Sequence, residues 1–163
     1  MNATLLIATS IATSVIAGCA LVLTFQGWRD NRDKLRLDLF NRRFSIYQRV
    51  LVYYKALLVW KGTEEQKALI PPFIEASREA LFIFPKKSGV YEHLQTFWNH
   101  SWKIVTHQEV MTVFAGADLY GDEETRKQRR KIVDERMESG TWILSSLTEL
   151  EKLMKKSMSF ERL

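Results

Sequence analysis

The first stretch of the chain is apolar throughout, and charged side chains begin only after it ends. Leu5–Phe25 holds no charged residue, and neither does Met1–Thr4 before it. At about 1.5 Å per residue, a helix over these positions measures roughly 31 Å, enough to cross a hydrocarbon core of about 30 Å. A backbone inside a bilayer must satisfy its hydrogen bonds internally. The pattern therefore predicts a retained transmembrane helix, with residues 1–28 as the anchor and residues 29–163 as the remaining domain.

Two alternatives to a retained span stay open. The string Ile16–Cys19 (IAGC) resembles the lipobox that precedes a lipid-modified cysteine, and an ordinary cleaved signal peptide is the other alternative. A signal peptide has a positively charged start, which Met1–Thr4 lacks. The apolar run also continues beyond Cys19, where a mature lipoprotein would turn polar. Both observations favour the retained span.

The charges that follow the apolar stretch predict its orientation. Trp28 is suitably placed as an interfacial anchor. The basic residues of this flank are Arg29, Arg32, Lys34, Arg36, Arg42 and Arg43. No basic side chain precedes the stretch, so the positive-inside rule puts the N-terminus outside and the C-terminal domain in the cytoplasm.

Small residues repeat along one face of the predicted span. Ser10, Ser14 and Gly18 are four residues apart, a spacing that lets two transmembrane helices approach closely. This pattern predicts packing against another span, and ordinary small-residue filler in a weakly hydrophobic helix is the alternative.

Apolar residues beyond the span recur with a heptad period, which predicts one long helix over Arg29–Trp60. The expected core seam is Leu37, Phe40, Phe44, Tyr47, Leu51, Tyr54 and Leu58. It is widened by Leu35, Ile46, Val50 and Leu57, as in a helix buried against several neighbours. We therefore expect replacement of Phe44 or Leu51 by alanine to destabilise the bundle by about 2–5 kcal/mol.

Four further helical segments follow from capping signals and helical periodicity. Thr63–Gln66 is a capping box that opens a short helical turn. A second short helix is expected at Phe73–Phe84, ended by Pro85, and two long helices are expected at Gly89–Phe114 after Ser88 and from the cap Asp122 to about Met158. In the Phe73–Phe84 helix the expected inward residues are Phe73, Ser77, Ala80, Leu81 and Phe84. In the Gly89–Phe114 helix they are Leu94, Phe97, Ser101, Ile104 and Met111. In the last helix they are Ile132, Val133, Met137, Ile143, Leu144, Leu147, Leu150 and Met154. No useful stretch alternates with period two. The predicted fold is all-α, one N-terminal transmembrane helix followed by an antiparallel helical bundle.

Two short motifs carry a family resemblance. Leu39–Tyr47 reads LFNRRFSIY and Ala76–Phe84 reads ASREALFIF. Together with the N-terminal span, they resemble a group of small bacterial single-pass membrane proteins with an LFxxRFxIY juxtamembrane helix and an AxFLF-like helix. The resemblance implies this architecture and a location in the bacterial inner membrane, and it implies no chemistry.

The charge distribution indicates the class of partner. The net charge is +5, and all charged residues lie at or beyond Arg29. A basic domain tethered at a membrane has anionic lipid headgroups as its first expected partner and nucleic acid as its second. The expected contacts with the anionic surface are Arg29, Arg32, Lys34, Arg126, Arg129, Arg130 and Lys131. For the run Arg126–Lys131, a solvated helix start, nucleic acid and an acidic protein are the alternatives.

No residue pattern identifies a reaction, a metal or a cofactor. His93, His100 and His107 are seven residues apart, too far along one helix for one metal ion. Satisfied or solvated histidines are favoured, and a pH-sensitive stripe is the alternative. Cys19 is the only cysteine, so no disulfide within the chain is expected. Trp98 and Trp102 indicate core packing or, alternatively, a partner surface.

These observations favour a non-enzymatic function. We expect a membrane-anchored helical bundle that acts as an adaptor, a sensor or a subunit of a membrane-associated assembly, with a second copy or another membrane protein as its partner. The alternatives are a basic bundle that binds nucleic acid at the membrane, for example in phage defence, and an enzyme whose site has no recognisable motif.

Overall fold

The described part of the chain forms five α-helices. The computed structural model describes the backbone of residues 2–115 and 123–158, and the side chains of residues 18–108, 110 and 123–157. The helices are α1 (Asn2–Leu58), α2 (Glu64–Lys67), α3 (Ile70–Ile83), α4 (Val90–Ala115) and α5 (Glu123–Met158), with a 3₁₀ turn at Lys86–Ser88. No strand occurs in the described backbone. The predicted all-α fold class is therefore confirmed.

The chain divides into two compact units, of which the first is Met1–Asn41. This unit consists of the first part of α1, and its side chains from Gly18 to Leu35 are exposed. Within the part of the chain that has described side chains, no helix offers an apolar stretch sufficient to cross a membrane. The side chains of residues 5–17, which make up most of the predicted span, lie outside that part.

The second unit, Arg42–Leu163, holds an antiparallel bundle of the last part of α1 with α3, α4 and α5. Arg43 contacts the last residue of α3, Ile83, so those two helices run in opposite directions. Tyr47 contacts Glu151 near the end of α5, which makes α1 and α5 antiparallel as well. The helical bundle is thereby confirmed for this unit.

An aromatic cluster forms the centre of the bundle. The ring centroids of Tyr53 and Phe73 are 4.7 Å apart, and those of Phe73 and Phe97 are 5.4 Å apart. These three side chains come from α1, α3 and α4 and are essentially inaccessible to solvent. Buried aromatic rings contribute large apolar areas, so this contact ties three helices together. The surrounding core consists of Ile46, Val50, Leu57, Trp60, Ala76, Ala80, Phe84, Val90, Leu94, Ile104, Val105, Ile143, Leu150 and Met154.

The helix ends follow the predicted local signals closely. The capping box at Thr63 is present, with Gln66 as its reciprocal partner. Phe84 leaves helical geometry immediately before Pro85, as predicted. Ser88 Oγ accepts a hydrogen bond from the Val90 amide at 3.3 Å. α3 begins earlier than predicted, at Ile70, because its two prolines fit within the first helical turn.

The predicted core seam of α1 is wrong by one position, whereas three of the residues predicted to widen it, Ile46, Val50 and Leu57, are buried as expected. The buried residues are Ile46, Val50, Tyr53, Leu57 and Trp60, whereas Phe44 is 43% exposed and Leu58 is 48% exposed. Both sets have heptad spacing, and the buried one is displaced by one residue from the predicted seam. The buried stripe starts at Arg43, and a charged residue is not counted as a core position when the stripe is identified from hydrophobicity.

Parts of the predicted inward faces of α3 and α5 are also wrong. Leu81 is 45% exposed, and on α5 Val133, Met137 and Leu144 lie at the surface. Buried serines, Ser139 and Ser146, occupy the corresponding core positions of α5. The two helices α4 and α5 approach closely there, and small side chains permit that approach. The side chains of Met111 and Asp122 lie outside the described residues.

Candidate interaction surface

Two apolar stripes lie along the exposed edge between α1 and α5. The α1 stripe consists of Phe44 and Leu58, which are exposed, and the half-buried Leu51 between them; the α5 stripe consists of the exposed Val133, Met137 and Leu144. We call these six residues together the outer face. Met137 is 68% exposed and Leu144 is 60% exposed, although both have large apolar side chains. Clustered exposed apolar residues mark interaction sites in many proteins.

One hydrogen bond fixes the register of the two stripes. The hydroxyl of Tyr47 donates to Glu151 Oε1 at 2.7 Å. Phe44 and Leu51 lie about one turn on either side of Tyr47, and Leu144 lies about two turns before Glu151 on the same side of α5. The α1 and α5 stripes therefore border the same edge of the bundle. The hydrogen bond to Glu151 raises the pKa of the Tyr47 hydroxyl, so the phenol stays protonated and able to donate.

The α5 stripe continues beyond the end of α1. The pairing of Tyr47 with Glu151 and the antiparallel course put the last turn of α1, at Leu58, beside about residue 140 of α5. Val133 and Met137 therefore extend past α1, where no helix of the described part covers them. This part of the outer face can accept an apolar side of another helix.

Arg43 organises the end of the bundle below the outer face. Its Nε and Nη2 atoms donate to the carbonyl oxygen of Ile83 at 3.3 and 3.2 Å, and Nη1 donates to the carbonyl of Ser157 at 2.6 Å. The guanidinium also lies 5.4 Å from the centroid of the Phe84 ring. One buried cation thus binds the negative C-terminal ends of α3 and α5. Burial lowers the pKa of Arg43 from its usual value.

Sequence reasoning placed Arg43 only in a basic flank and missed this role. Arg43 lies three residues before Ile46 and seven before Val50, so it shares their helix face. This spacing is the sequence signal that indicates an inward arginine. A second contact, the ion pair between Arg49 and Glu79, joins α1 to α3 in the same unit.

The predicted lipid-contact residues near the span lie in the first unit. Arg29, Arg32 and Lys34 are exposed, and the Arg32 guanidinium lies 5.3 Å from the Trp28 ring centroid. Of the predicted transmembrane packing residues, Ser10 and Ser14 have side chains outside the described part. Gly18 is exposed, and a Cβ atom added to it would meet no atom of a neighbouring element within 4 Å.

The basic run Arg126–Lys131 occupies the start of α5. Arg126, Arg130 and Lys131 are exposed, and Arg129 is half-buried. Arg43, by contrast, contacts the end of α5 at Ser157. The run therefore lies about 40 Å along α5 from Arg43, since each residue of a helix advances about 1.5 Å. Arg126 and Arg130 also border a surface recess with Glu123 and Lys127.

The histidine stripe of α4 faces α5. His93 Nε2 donates to the carbonyl oxygen of Ser146 at 2.9 Å, and His100 Nδ1 is hydrogen-bonded to Ser139 Oγ at 3.2 Å. The ring of His100 stacks on Trp142 with centroids 4.4 Å apart. Burial lowers the pKa of His100, with a smaller contribution from a nearby lysine of α4. The stripe is thus part of the α4–α5 interface.

The third histidine follows the same arrangement. His107 Nε2 lies 3.6 Å from Glu135 Oε2, so the stripe contacts α5 along its length. Among residues with described side chains, no three histidine, cysteine or acidic groups come together as a metal site would require. Trp98 packs on Phe73 in the core, whereas Trp102 is 49% exposed.

Comparisons with known proteins identify no relative of this chain. No protein-family model matches the chain, and no curated protein or solved structure is significantly similar to it.

Proposed function

We propose that this protein is a non-enzymatic, single-pass membrane protein whose helical bundle binds another helical protein through the outer face. It acts as an adaptor, a sensor or a subunit of a membrane-associated assembly. The observation that carries the proposal is the exposed apolar stripe of α5, Val133, Met137 and Leu144, beside a second apolar stripe on α1. An exposed apolar stripe with helical spacing fits the helix-in-groove mode of recognition.

The membrane anchor in this proposal rests on the sequence. The uncharged stretch Leu5–Phe25 has the length of a span, and the basic flank that follows favours a cytoplasmic bundle. The resemblance to small bacterial single-pass proteins supports the inner membrane as its location. Arg29, Arg32 and Lys34 are exposed and close to the predicted span, so anionic headgroups are their expected partners.

A second copy of the chain is the first partner to test. The spacing of Ser10, Ser14 and Gly18 favours association of two spans. Two tethered copies have a high effective concentration relative to each other, so a moderately apolar surface is sufficient for assembly. Another membrane protein with an apolar helix face is the alternative partner.

Site-specific photocrosslinking tests the proposal in intact cells. A benzoylphenylalanine replaces Leu144 on the outer face in one variant and Phe82 of α3 in the control variant. Phe82 is also a large, exposed apolar residue, but it belongs to α3 rather than to the outer face. We expect discrete protein adducts at position 144 only, with a mass that identifies a second copy or another protein.

Several results of this experiment contradict the proposal. Equal adducts at positions 144 and 82, or no protein adduct at either, remove the outer face as a binding surface. Nucleic acid that co-purifies in a salt-sensitive manner supports the second candidate function, for which the recess at Arg126, Lys127 and Arg130 is the structural basis.

A further inference from the structure

A pocket opens between α3 and α4, away from the outer face. Its volume is about 280 Å³, near the lower limit of small-molecule sites, which is roughly 300 Å³. It is lined by Phe73, Ile74, Ser77, Arg78, Tyr91, Gln95 and Trp98. Four of the lining residues are aromatic or aliphatic, and Ser77, Arg78 and Gln95 supply polar groups, a combination found in ligand sites.

The hydroxyl of Ser77 distinguishes this pocket from ordinary packing. The four serines buried in the described part of the chain are Ser77, Ser101, Ser139 and Ser146. Ser101 and Ser146 donate to carbonyls of their own helices, and Ser139 is hydrogen-bonded to His100. Ser77 Oγ is buried and has no hydrogen-bond partner among the described residues. A buried hydroxyl without a partner costs about 1–3 kcal/mol, so a ligand atom that binds it is favoured.

The charges of the residues that line the pocket favour an anionic ligand. Arg78 is the only ionised residue of the lining, and no carboxylate is present there. Arg78 forms no ion pair with a described residue, in contrast to Arg49, which binds Glu79 from α1. A planar guanidinium at the rim of an apolar pocket binds a carboxylate in a bidentate manner.

The aromatic side chains beside the pocket favour a ligand with a flat apolar group. Phe73 and Trp98 stack with ring centroids 6.0 Å apart, and Trp98 is followed by Trp102 at 5.5 Å. Phe73 is fully buried and supports Trp98 from the core side, so the partly buried Trp98 gives the pocket an accessible aromatic surface that is already held in place. An aromatic ring packs well on such a surface in an offset or edge-to-face arrangement.

We propose that the α3–α4 pocket binds a small aromatic carboxylate. The aromatic ring of the ligand packs against Trp98, which Phe73 supports from the core side, and its carboxylate binds Arg78. The Ser77 hydroxyl donates a hydrogen bond to the ligand, and the Gln95 amide supplies a further polar contact. This site is independent of the outer face and of membrane anchoring.

Calorimetric titration of the full-length protein in detergent tests the pocket. The probes are benzoate, 4-phenylbutyrate and indole-3-acetate, each compared with its uncharged amide so that partition into micelles is controlled. We expect at least one carboxylate to bind at least tenfold more tightly than its amide, because a charge-assisted hydrogen bond is about twice as strong as a neutral one. Arg78→Gln is expected to lower the carboxylate affinity about tenfold and to leave the amide affinity unchanged.

Two variants separate the proposal from general effects of charge and folding. Lys55→Gln removes the same charge from an exposed position of α1 outside the lining and is expected to leave all affinities unchanged. Ser77→Ala, with helicity checked by circular dichroism, is expected to weaken the tightest carboxylate several-fold. The proposal is overturned if none of the three carboxylates binds, if acid and amide bind equally, or if Arg78→Gln and Lys55→Gln have the same effect.

Discussion

The guanidinium of Arg43 donates a 2.6 Å hydrogen bond to the carbonyl oxygen of Ser157, which lies 114 residues later in the chain. The same group binds the carbonyl of Ile83, so one side chain closes the ends of two helices. The last carbonyls of a helix have no partner within it, and they carry the negative end of the helix dipole. The position of α5 against α1 therefore depends on one buried cation as well as on apolar packing.

Replacement of Arg43 tests this dependence. Arg43→Ala is expected to lower the free energy of unfolding by about 3 kcal/mol, because hydrogen bonds to a charged group contribute about 1.5–3 kcal/mol each and solvent replaces some of them. Lys55→Ala, at an exposed site of the same helix, is expected to change it by less than about 0.5 kcal/mol. Urea denaturation followed by circular dichroism measures both. Similar midpoints for the two variants would show that Arg43 is not a structural group.

The core seam of α1 leads to a second prediction. Leu57→Ala is expected to destabilise the bundle by about 2–5 kcal/mol, the usual cost of emptying a buried leucine site. Phe44→Ala is expected to cost less than about 1 kcal/mol, since its side chain is already 43% exposed. The same denaturation measurement compares the two. A larger loss for Phe44 than for Leu57 would contradict the burial of the Ile46–Trp60 seam.

Helix ends can be predicted from the sequence more reliably than the inward face of a helix. Helix ends depend on local groups, such as the Thr63 capping box and Pro85, and their prediction is confirmed. Inward faces depend on neighbouring helices. α1 carries two adjacent heptad stripes that are both apolar, and the buried one begins with a charged residue, Arg43, so the hydrophobic pattern alone does not show that Phe44 is exposed.

Buried polar residues explain the remaining differences. Arg43 faces inward because two helix ends supply acceptors for it, and those acceptors are remote in sequence. On α5, Ser139 and Ser146 are buried while Met137 and Leu144 are exposed, the reverse of a hydrophobicity ranking. The Ser77 hydroxyl was expected to face inward, but its lack of a partner is visible only once its neighbours are positioned.

Titration of His100 leads to a third prediction. Its pKa is lowered mainly by burial, further by Lys103, and is partly restored by Glu138, while Ser139 and Trp142 of α5 face its ring. A histidine with a lowered folded pKa contributes stability that is present above its unfolded pKa of about 6.5 and is lost as the pH falls below that value.

We therefore expect the urea midpoint to decrease from pH 7.5 to pH 5.5, and to decrease less in His100→Gln. His93→Gln is the matched control, because it removes a histidine of the same stripe. If wild type and His100→Gln have the same pH dependence, His100 does not titrate in this range.

The N-terminal segment leads to a fourth prediction. A retained span requires that protein extracted from the membrane begins at Met1 or Asn2, and intact mass spectrometry measures this directly. A mass that begins at a lipid-modified Cys19 would contradict the retained span and change the predicted compartment, because a lipoprotein is anchored by its acyl chains rather than by a helix.

The two basic regions of the chain lead to the last prediction. Each basic residue near an anionic membrane surface contributes about 1 kcal/mol, and the attraction fades beyond a Debye length of about 8 Å. Arg29, Arg32 and Lys34 lie within about two helical turns of the predicted span, so the tether keeps them near the headgroups. Arg129, Arg130 and Lys131 lie about 40 Å along α5 from the end at which Arg43 binds Ser157.

Flotation of residues 29–163 with liposomes compares the two regions. Binding is expected to increase with the fraction of anionic lipid and to disappear at high salt. Reversal of Arg29, Arg32 and Lys34 to glutamate is expected to abolish flotation, because three attractive charges become repulsive. Reversal of Arg129, Arg130 and Lys131 makes the same change in net charge, so it is the matched control, and it is expected to weaken flotation only if that run faces the bilayer. An equal loss in both variants would indicate that only net charge matters, and equal flotation with neutral and anionic vesicles would exclude an electrostatic contribution of either region.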